Sequence, residues 1–405
     1  MRNTEITIIH HTDPLGLKVG GGETFIKGFT KYAPEDFNID FIGISSGCQK
    51  YPLKKWTKLK LGNKEFNFFP LFFEKDENKK TLIPLSLRFT LTLKFFQMDA
   101  SKKVLFFNRI EPVILFKRSK FPKVGIVHID IQKYLEIGKS EILWNKFPWL
   151  YLMFENLIFT SLDCIYTVSG DTLKFYQSKY PKQKAKFSFL PTYVDTEIFF
   201  PINEPKFSIR KKMYSVSKSL PIENKWILFV GRLQKQKSPI RLIDTFLECY
   251  KRDKNFCLII IGEGNLRKVI EKYIRKLDIE NNVFLLGNMD QKALVDFYRA
   301  SDVLLLTSNF EGMPICVLEA LSCGLPVVST DVSEVKRVIK SEYSGEVVKS
   351  NSPEVIAQTI GKVLANPSMY TKENSIKSIS GYTPHEILKP VYELIRKLYI
   401  KKCVQ

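Results

Sequence analysis

The chain has 405 residues, a net charge of +20, and is 44% apolar and 13% aromatic. That length exceeds one ordinary core and predicts about two domains, each apolar enough to fold without disulfides. The seven cysteines (Cys48, Cys164, Cys249, Cys257, Cys316, Cys323 and Cys403) form no CxxC pair, which argues against a zinc cage or disulfide framework and fits a reducing compartment.

Residues 1–5 are polar and the following ITIIH run is short, so no export signal is expected. ITIIH reads as a first strand, and Gly20, Gly21 and Gly22 as a glycine-rich turn into a helix over 23–32. NIDFIGIS, KVLFFN, KVGIVHI and DCIYTVS read as further strands. Between residues 50 and 123 there are 18 Lys/Arg against 6 Asp/Glu, interleaved with LFFEK, LRFTLTLKFF and VLFFNR. Two readings stay open for this stretch: an anionic membrane surface as partner, or a basic solvated face around an ordinary core. The longest apolar run, residues 147–159, is too short to span a bilayer and carries Glu155 and Asn156. A cytoplasmic protein, soluble or peripheral to the membrane, is expected.

The polar segment 192–225, with Pro201, Pro205 and Pro221, reads as the connection between halves. Beyond it, short apolar strands alternate with helices. WILFVG is followed by a helix over 239–251, FCLIIIG by one over 266–277, and NVFLLG by one near 292–299. DVLLLTS precedes a helix over 314–322, PVVST one from residue 334, and GEVV one over 353–365. This alternation predicts βαβ units and a parallel sheet. The expected domains are 1–205, 206–384, and a closing helix within 385–405.

The densest chemistry lies in FEGMPICVLEALSCGLPVVST. Glu311 follows a strand end, and Pro314 suits the first helical position. The free N–H groups around Pro314, those of Gly312, Met313 and Ile315, then make an anion-binding helix N-terminus. Glu319 sits among Val317, Leu318, Ala320 and Leu321 and needs a partner. A pair of sugar hydroxyls suits a carboxylate, and so does a nearby lysine. Arg232 and Lys237, in VGRLQKQKS, leave the end of a strand, where open α/β sheets bind ligands. Two cations there can neutralise a diphosphate without a metal, and no DxD triplet occurs to hold one. IGEG holds Gly262 and Gly264 at a strand-to-helix turn, short of a full GxGxxG. His128 ends a strand, with Asp130 two residues on, and fits either a ligand contact or a structural hydrogen bond.

Together these segments resemble glycosyltransferase family 4, retaining enzymes of the GT-B fold. The resemblance is strongest over residues 226–348 and weaker in GGGET, VHID, DCIYTVS and PTYVDTEIF. It implies an α/β chain of two Rossmann-like domains whose parallel sheets face across a cleft. It implies that Arg232 and Lys237 bind the donor diphosphate and that Glu311 lies near the transferred sugar. Gly312, Met313 and Pro314 turn their backbone to sugar and phosphates, and Glu319 holds the ribose. His128 approaches the donor sugar, Gly21 and Gly22 form the loop beneath it, and the final helix crosses back onto the N-terminal domain. Where the family commonly has Asn-Gly after the proline of PTYVDTEIF, this chain has Thr192 and Tyr193.

The implied activity is a metal-independent, retaining glycosyltransferase, a hexosyltransferase. It would carry sugar from a nucleotide-sugar donor to a glycan or lipid-linked acceptor in cell-envelope polysaccharide or glycolipid synthesis. No cofactor is implied, and no motif points to specific nucleic-acid binding. The rivals are a non-catalytic sugar-nucleotide binder and a phosphorylase or synthase of the same fold.

Overall fold

A computed structural model of the chain describes residues 3–16, 20–47, 51–77, 83–94, 103–128, 148–214, 220–332, 334–341 and 343–404. Cys48 and Asp130 lie outside the described residues. The chain forms two compact units, Met1–Thr192 with Pro384–Gln405, and Tyr193–Thr383.

The first unit is built on β1 (Thr4–Ile9), α1 (Gly21–Lys31), β2 (Phe37–Ser46), β3 (Thr57–Leu61), β4 (Lys64–Glu74), α2 (Leu85–Lys94) and β5 (Val104–Phe107). It continues with β6 (Lys123–Val127), α3 (Pro148–Ser161), β7 (Cys164–Thr167), α4 (Gly170–Lys179) and β8 (Phe187–Phe189). The sheet order is β3-β4-β2-β1-β5-β6-β7-β8. Every pairing is parallel except β3 with β4. β5, β6 and β7 are buried throughout, as expected of strands covered on both faces.

The β3–β4 hairpin explains part of the basic aromatic stretch. Gly62, at φ 59°, supplies the left-handed residue of a tight Gly-Asn turn. β3 (TKLKL) alternates exposed with half-buried residues at the sheet edge, where lysines discourage further strand addition.

The second unit contains α5 (Lys206–Tyr214), β9 (Lys225–Val230), α6 (Pro239–Arg252), β10 (Phe256–Ile261), α7 (Arg267–Lys276), β11 (Val283–Gly287) and α8 (Gln291–Ala300). Then come β12 (Val303–Leu306), α9 (Ile315–Ser322), β13 (Val327–Thr330), α10 (Val335–Val338), β14 (Gly345–Val348), α11 (Pro353–Ala365) and α12 (Lys372–Ser378). All pairings are parallel, in the order β11-β10-β9-β12-β13-β14. This is the doubly wound 3-2-1-4-5-6 order. The chain reverses its winding between β9 and β12, and the crevice at their carboxyl ends is the ligand position of such sheets.

The boundary between units falls earlier than the expected 205/206. Segment 193–205 was expected to be a linker because of its prolines, but it is core of the second unit. Val194 and Phe199 are buried there, the Val194 amide donates to the Tyr382 carbonyl at 3.1 Å, and Ser322 Oγ donates to the Phe199 carbonyl at 2.6 Å. The closing helix, α13 (Pro384–Val404), belongs to the first unit. Tyr392 packs tilted against Phe29 and edge-on against Phe37 and donates to the Phe29 carbonyl at 2.6 Å, and Arg396 forks onto Asp36 at 2.9 and 3.0 Å.

Candidate functional site

The loops leaving β9 and β12 are sewn together at the winding reversal. The Asn309 amide donates to the Gln236 carbonyl at 2.8 Å, and Asn309 Nδ2 to the Lys235 carbonyl at 2.9 Å. Thr307 Oγ1 donates to the Lys237 carbonyl at 3.0 Å. Arg241 spans the same seam, donating to the Thr307 carbonyl and to Asn309 Oδ1, both at 3.0 Å. Ser238 closes the first loop in the left-handed region at φ 48°, a strain this network holds.

The seam brings two of the sequence candidates into contact. Lys237 Nζ meets Glu311 Oε1 at 2.6 Å, with both side chains largely buried (13% and 8% exposed). Ser308 Oγ donates to the same carboxylate oxygen at 2.7 Å, and Gln236 Nε2 lies 3.4 Å from the other. Burial, the largest effect, disfavours the ammonium, but the charge and hydrogen bond of Glu311 together with Cys316 outweigh it and hold the Lys237 pKa above its usual value. Lys237 is therefore a fixed cation. Arg232 is exposed on the same loop, close enough for its charge to act on Lys237.

α9 begins directly after this pair. Pro314 caps the helix in an extended conformation (ψ 110°) and Ile315 is the first helical residue, one later than expected. The first amides of α9, which a helix leaves without internal acceptors, follow Gly312 and Met313. Anions are favoured at such an end. Cys316, in the first turn, is electrostatically coupled to Lys237, Glu311 and Glu319. Lys237, Glu311 and Glu319 are thus all within electrostatic reach of the first turn of α9, and Arg232 acts on Lys237.

Glu319 is buried on α9, and the side chain that meets it is a tyrosine rather than the lysine that the sequence offered. Tyr298 of α8 donates to Glu319 Oε2 at 2.7 Å. Burial pushes the carboxyl pKa up to about 7, and the tyrosine hydrogen bond opposes that rise. Only one carboxylate oxygen is engaged by this bond, leaving the other able to accept from a ligand hydroxyl.

Gly262 and Gly264 serve packing. A Cβ at Gly262 (φ 139°) would strike the Gly231 carbonyl oxygen, and one at Gly264 the Leu233 carbonyl oxygen. The two glycines let the β10–α7 turn lie against the backbone that carries Arg232.

In the first unit, Gly21 and Gly22 are not a turn but the first residues of α1. No loop penalty arises there, because Gly20 at φ 174° is simply extended. His128 follows β6, and its Nε2 lies 2.7 Å from Asn108 Oδ1 at the end of β5. Asn108 Nδ2 donates to the Gly22 carbonyl at 2.9 Å and approaches His10 Nε2 at 3.4 Å. β1, β5, β6 and α1 therefore converge through one buried amide. Asn108, Ser308, Gln236, Asn309 and Tyr298 were not singled out from sequence. Ser308 and Asn108 stand at strand ends, the one signal the sequence gives for them; Tyr298 carries none.

Residues 212–378 match the family model described as "Glycosyl transferases group 1". The chain is 24% identical over 382 residues to an uncharacterized glycosyltransferase of Methanocaldococcus jannaschii, covering 92% of this chain and 91% of that one. It is 27% identical over 225 residues to a UDP-Gal:alpha-D-GlcNAc-diphosphoundecaprenol alpha-1,3-galactosyltransferase of Escherichia coli, covering 54% of this chain and 55% of that one. Among solved structures, the sucrose-phosphate synthase of Thermosynechococcus elongatus superposes with a TM-score of 0.77 at 18% identity, over 98% of this chain and all of that one. That likeness establishes the GT-B fold. The match to the group 1 model spans the sheet that carries the Lys237–Glu311 pair, and the relatives similar to this chain are glycosyltransferases.

Proposed function

We propose that the chain transfers a hexose from a nucleotide-sugar donor to a glycan or lipid-linked acceptor, with retention of configuration and without a metal ion. The observation that carries this reading is the Lys237–Glu311 pair, with Arg232 beside it, at the N-terminus of α9 on the winding reversal. As the bond from sugar to diphosphate breaks, negative charge grows on the departing oxygen. Lys237, Arg232 and the first amides of α9 stabilise that charge more in the transition state than in the bound donor, and this difference speeds the step. Glu311, held by Ser308, Gln236 and Lys237, stands next to the cations and accepts hydrogen bonds from the transferred sugar. Glu319 grips the ribose hydroxyls. Retention follows from the resemblance to family 4, with the acceptor entering on the leaving-group side and no covalent nucleophile assigned.

A lipid-linked acceptor in envelope glycan synthesis is supported by the E. coli relative, whose name specifies a diphosphoundecaprenol acceptor. It is also supported by α3, where Glu155 is turned inward onto Lys179, Tyr176 and Tyr180, while Met153 (64% exposed), Phe154 and Leu157 face outward. An apolar helix face on a basic unit suits an anionic bilayer surface, and the protein would then work at the cytoplasmic face. No helix among the described residues is long and apolar enough to cross a membrane.

The test is a thermal-shift panel of UDP-, GDP-, ADP- and dTDP-sugars, followed by product analysis with the best binder, with and without chelator. A rise in melting temperature with one nucleotide family, and an anomerically retained product formed in chelator, support the reading. Turnover of a sugar phosphate with free phosphate, or a strict requirement for a divalent ion, overturns it.

A further inference from the structure

The first unit contains a polar device that the proposed chemistry leaves unused. Asn108 is fully buried, yet its side-chain amide is satisfied on both ends. The Gly22 carbonyl can only accept a hydrogen bond, so the atom 2.9 Å from it must be the amide nitrogen. Its second hydrogen points toward His10 Nε2, 3.4 Å away. The amide orientation is thereby set by its neighbours, and Oδ1 is the atom facing His128 Nε2 at 2.7 Å. A carbonyl oxygen only accepts, so His128 Nε2 must carry a hydrogen. Phe25 packs against the imidazole, with ring centroids 5.9 Å apart at 66°.

We propose that Asn108 is a positioning residue: it locks His128 in the Nε2–H tautomer, leaves Nδ1 as a bare acceptor, and ties the ring to the first turn of α1. Burial first, and then the charge of Arg109, push the His128 pKa down to about 3, against the opposing pull of Glu23, so the ring is neutral at working pH. A neutral ring with a bare Nδ1 accepts a hydrogen bond from a sugar hydroxyl; a protonated ring, or the other tautomer, repels or wastes it. The same amide holds Gly22, so histidine and helix start are placed together. The proposal rests on the reading that His128 meets the transferred sugar.

The experiment uses the full chain labelled with nitrogen-15 histidine. The sequence has four histidines, so a His128→Gln spectrum assigns the resonance by loss. In the ligand-free protein, His128 is expected to show a protonated Nε2 and a bare Nδ1 across neutral pH. A protonated Nδ1 overturns the proposal without touching the donor-site reading. Asn108→Leu should give mixed tautomers and lower kcat/KM for the nucleotide sugar about tenfold, the worth of one misplaced hydrogen bond. Binding of the free nucleoside diphosphate, a property of the second unit, should stay unchanged. Asn108→Asp places a carboxylate on Nε2 among Arg109, Glu23 and His10. It should raise the ring's pKa, so that kcat/KM falls more steeply as pH drops through neutrality than the single Glu319 titration of the wild type allows. Wild-type turnover and pH profile in both variants overturn the proposal. No transfer by the wild type from any nucleotide sugar sinks the parent reading instead, and the ligand-free spectrum still decides the tautomer.

Discussion

Removing one charge of the Lys237–Glu311 pair should have an effect that depends on which charge is removed. In Glu311→Gln the shape stays, but Lys237 loses the carboxylate that meets it at 2.6 Å and remains a largely buried ammonium. In Lys237→Met the carboxylate keeps Ser308 Oγ at 2.7 Å and Gln236 Nε2 at 3.4 Å. Breaking a buried pair from one side costs about 3–5 kcal/mol when the orphaned charge has no other partner. Glu311→Gln should approach that range. Lys237→Met should cost about 1–3 kcal/mol, because hydrogen bonds remain to the surviving acid. For a unit of this size each kcal/mol moves the melting temperature by roughly 2–4 °C, so the larger loss is about 6–20 °C. The double variant should recover much of the Glu311→Gln loss. A saturating nucleoside diphosphate tests the chemistry as well, since its phosphates replace the missing carboxylate beside Lys237. It should therefore raise the melting temperature of Glu311→Gln more than that of the wild type, and barely move Lys237→Met. Both variants should lose transfer activity severely. Calorimetry of the four proteins with and without the diphosphate gives the answer. Equal destabilisation by the two single variants, or no extra ligand response in Glu311→Gln, would refute the electrostatic reasoning.

Nucleotide affinity should rise with pH through about 7, because a ribose-gripping Glu319 must be ionised and its carboxyl is pushed up to about 7. Tyr298→Phe removes the bond that opposes this rise and should move the midpoint to higher pH, read by titration calorimetry over a pH series. The raised folded-state pKa also means that folding takes up protons, so this carboxyl's contribution to stability declines as pH climbs from about 4.5 to about 7. Wild-type stability minus that of Glu319→Gln should therefore fall over this range in denaturant melts, and a difference that rises with pH would contradict the assignment. Gly262→Ala and Gly264→Ala should each destabilise the second unit by about 1–3 kcal/mol, since the added methyl meets backbone rather than a movable side chain. They should weaken nucleotide binding by displacing the Arg232 loop, and unchanged melting would show that the turns do not touch. Tyr392→Phe should cost the first unit about 1 kcal/mol through the lost bond to the Phe29 carbonyl, with the second unit's nucleotide binding unaffected.

Several features were legible in the residues because they depend on local pattern. FCLIII is apolar at every position, and only a strand covered on both faces tolerates that, so its place in a parallel sheet followed directly. The β-α alternation from residue 225 onward placed the helices to within a residue or two, and FEGMPICVLEA marked the helix end beside Glu311. The β3–β4 hairpin was not legible. Its strands mix lysines with aromatics, because one is an edge and the other is half-covered, and a Gly-Asn turn is a weak mark in so basic a stretch. Segment 193–205 was misplaced for a related reason: proline density resembles a linker, while Val194 and Phe199 disappear into a core assembled from residues far along the chain.

The residues themselves determined the α/β class, the strand and helix spacing, and the charged groups at the ends of β9 and β12. Tertiary structure alone decided the pairings: Lys237 with Glu311 74 positions away, Glu319 with Tyr298 21 away, and His128 with Asn108 20 away. The physical reason is that side-chain periodicity reports which way a group faces its own element, whereas a buried charge or amide is satisfied by whatever a neighbouring strand or helix brings within about 3 Å.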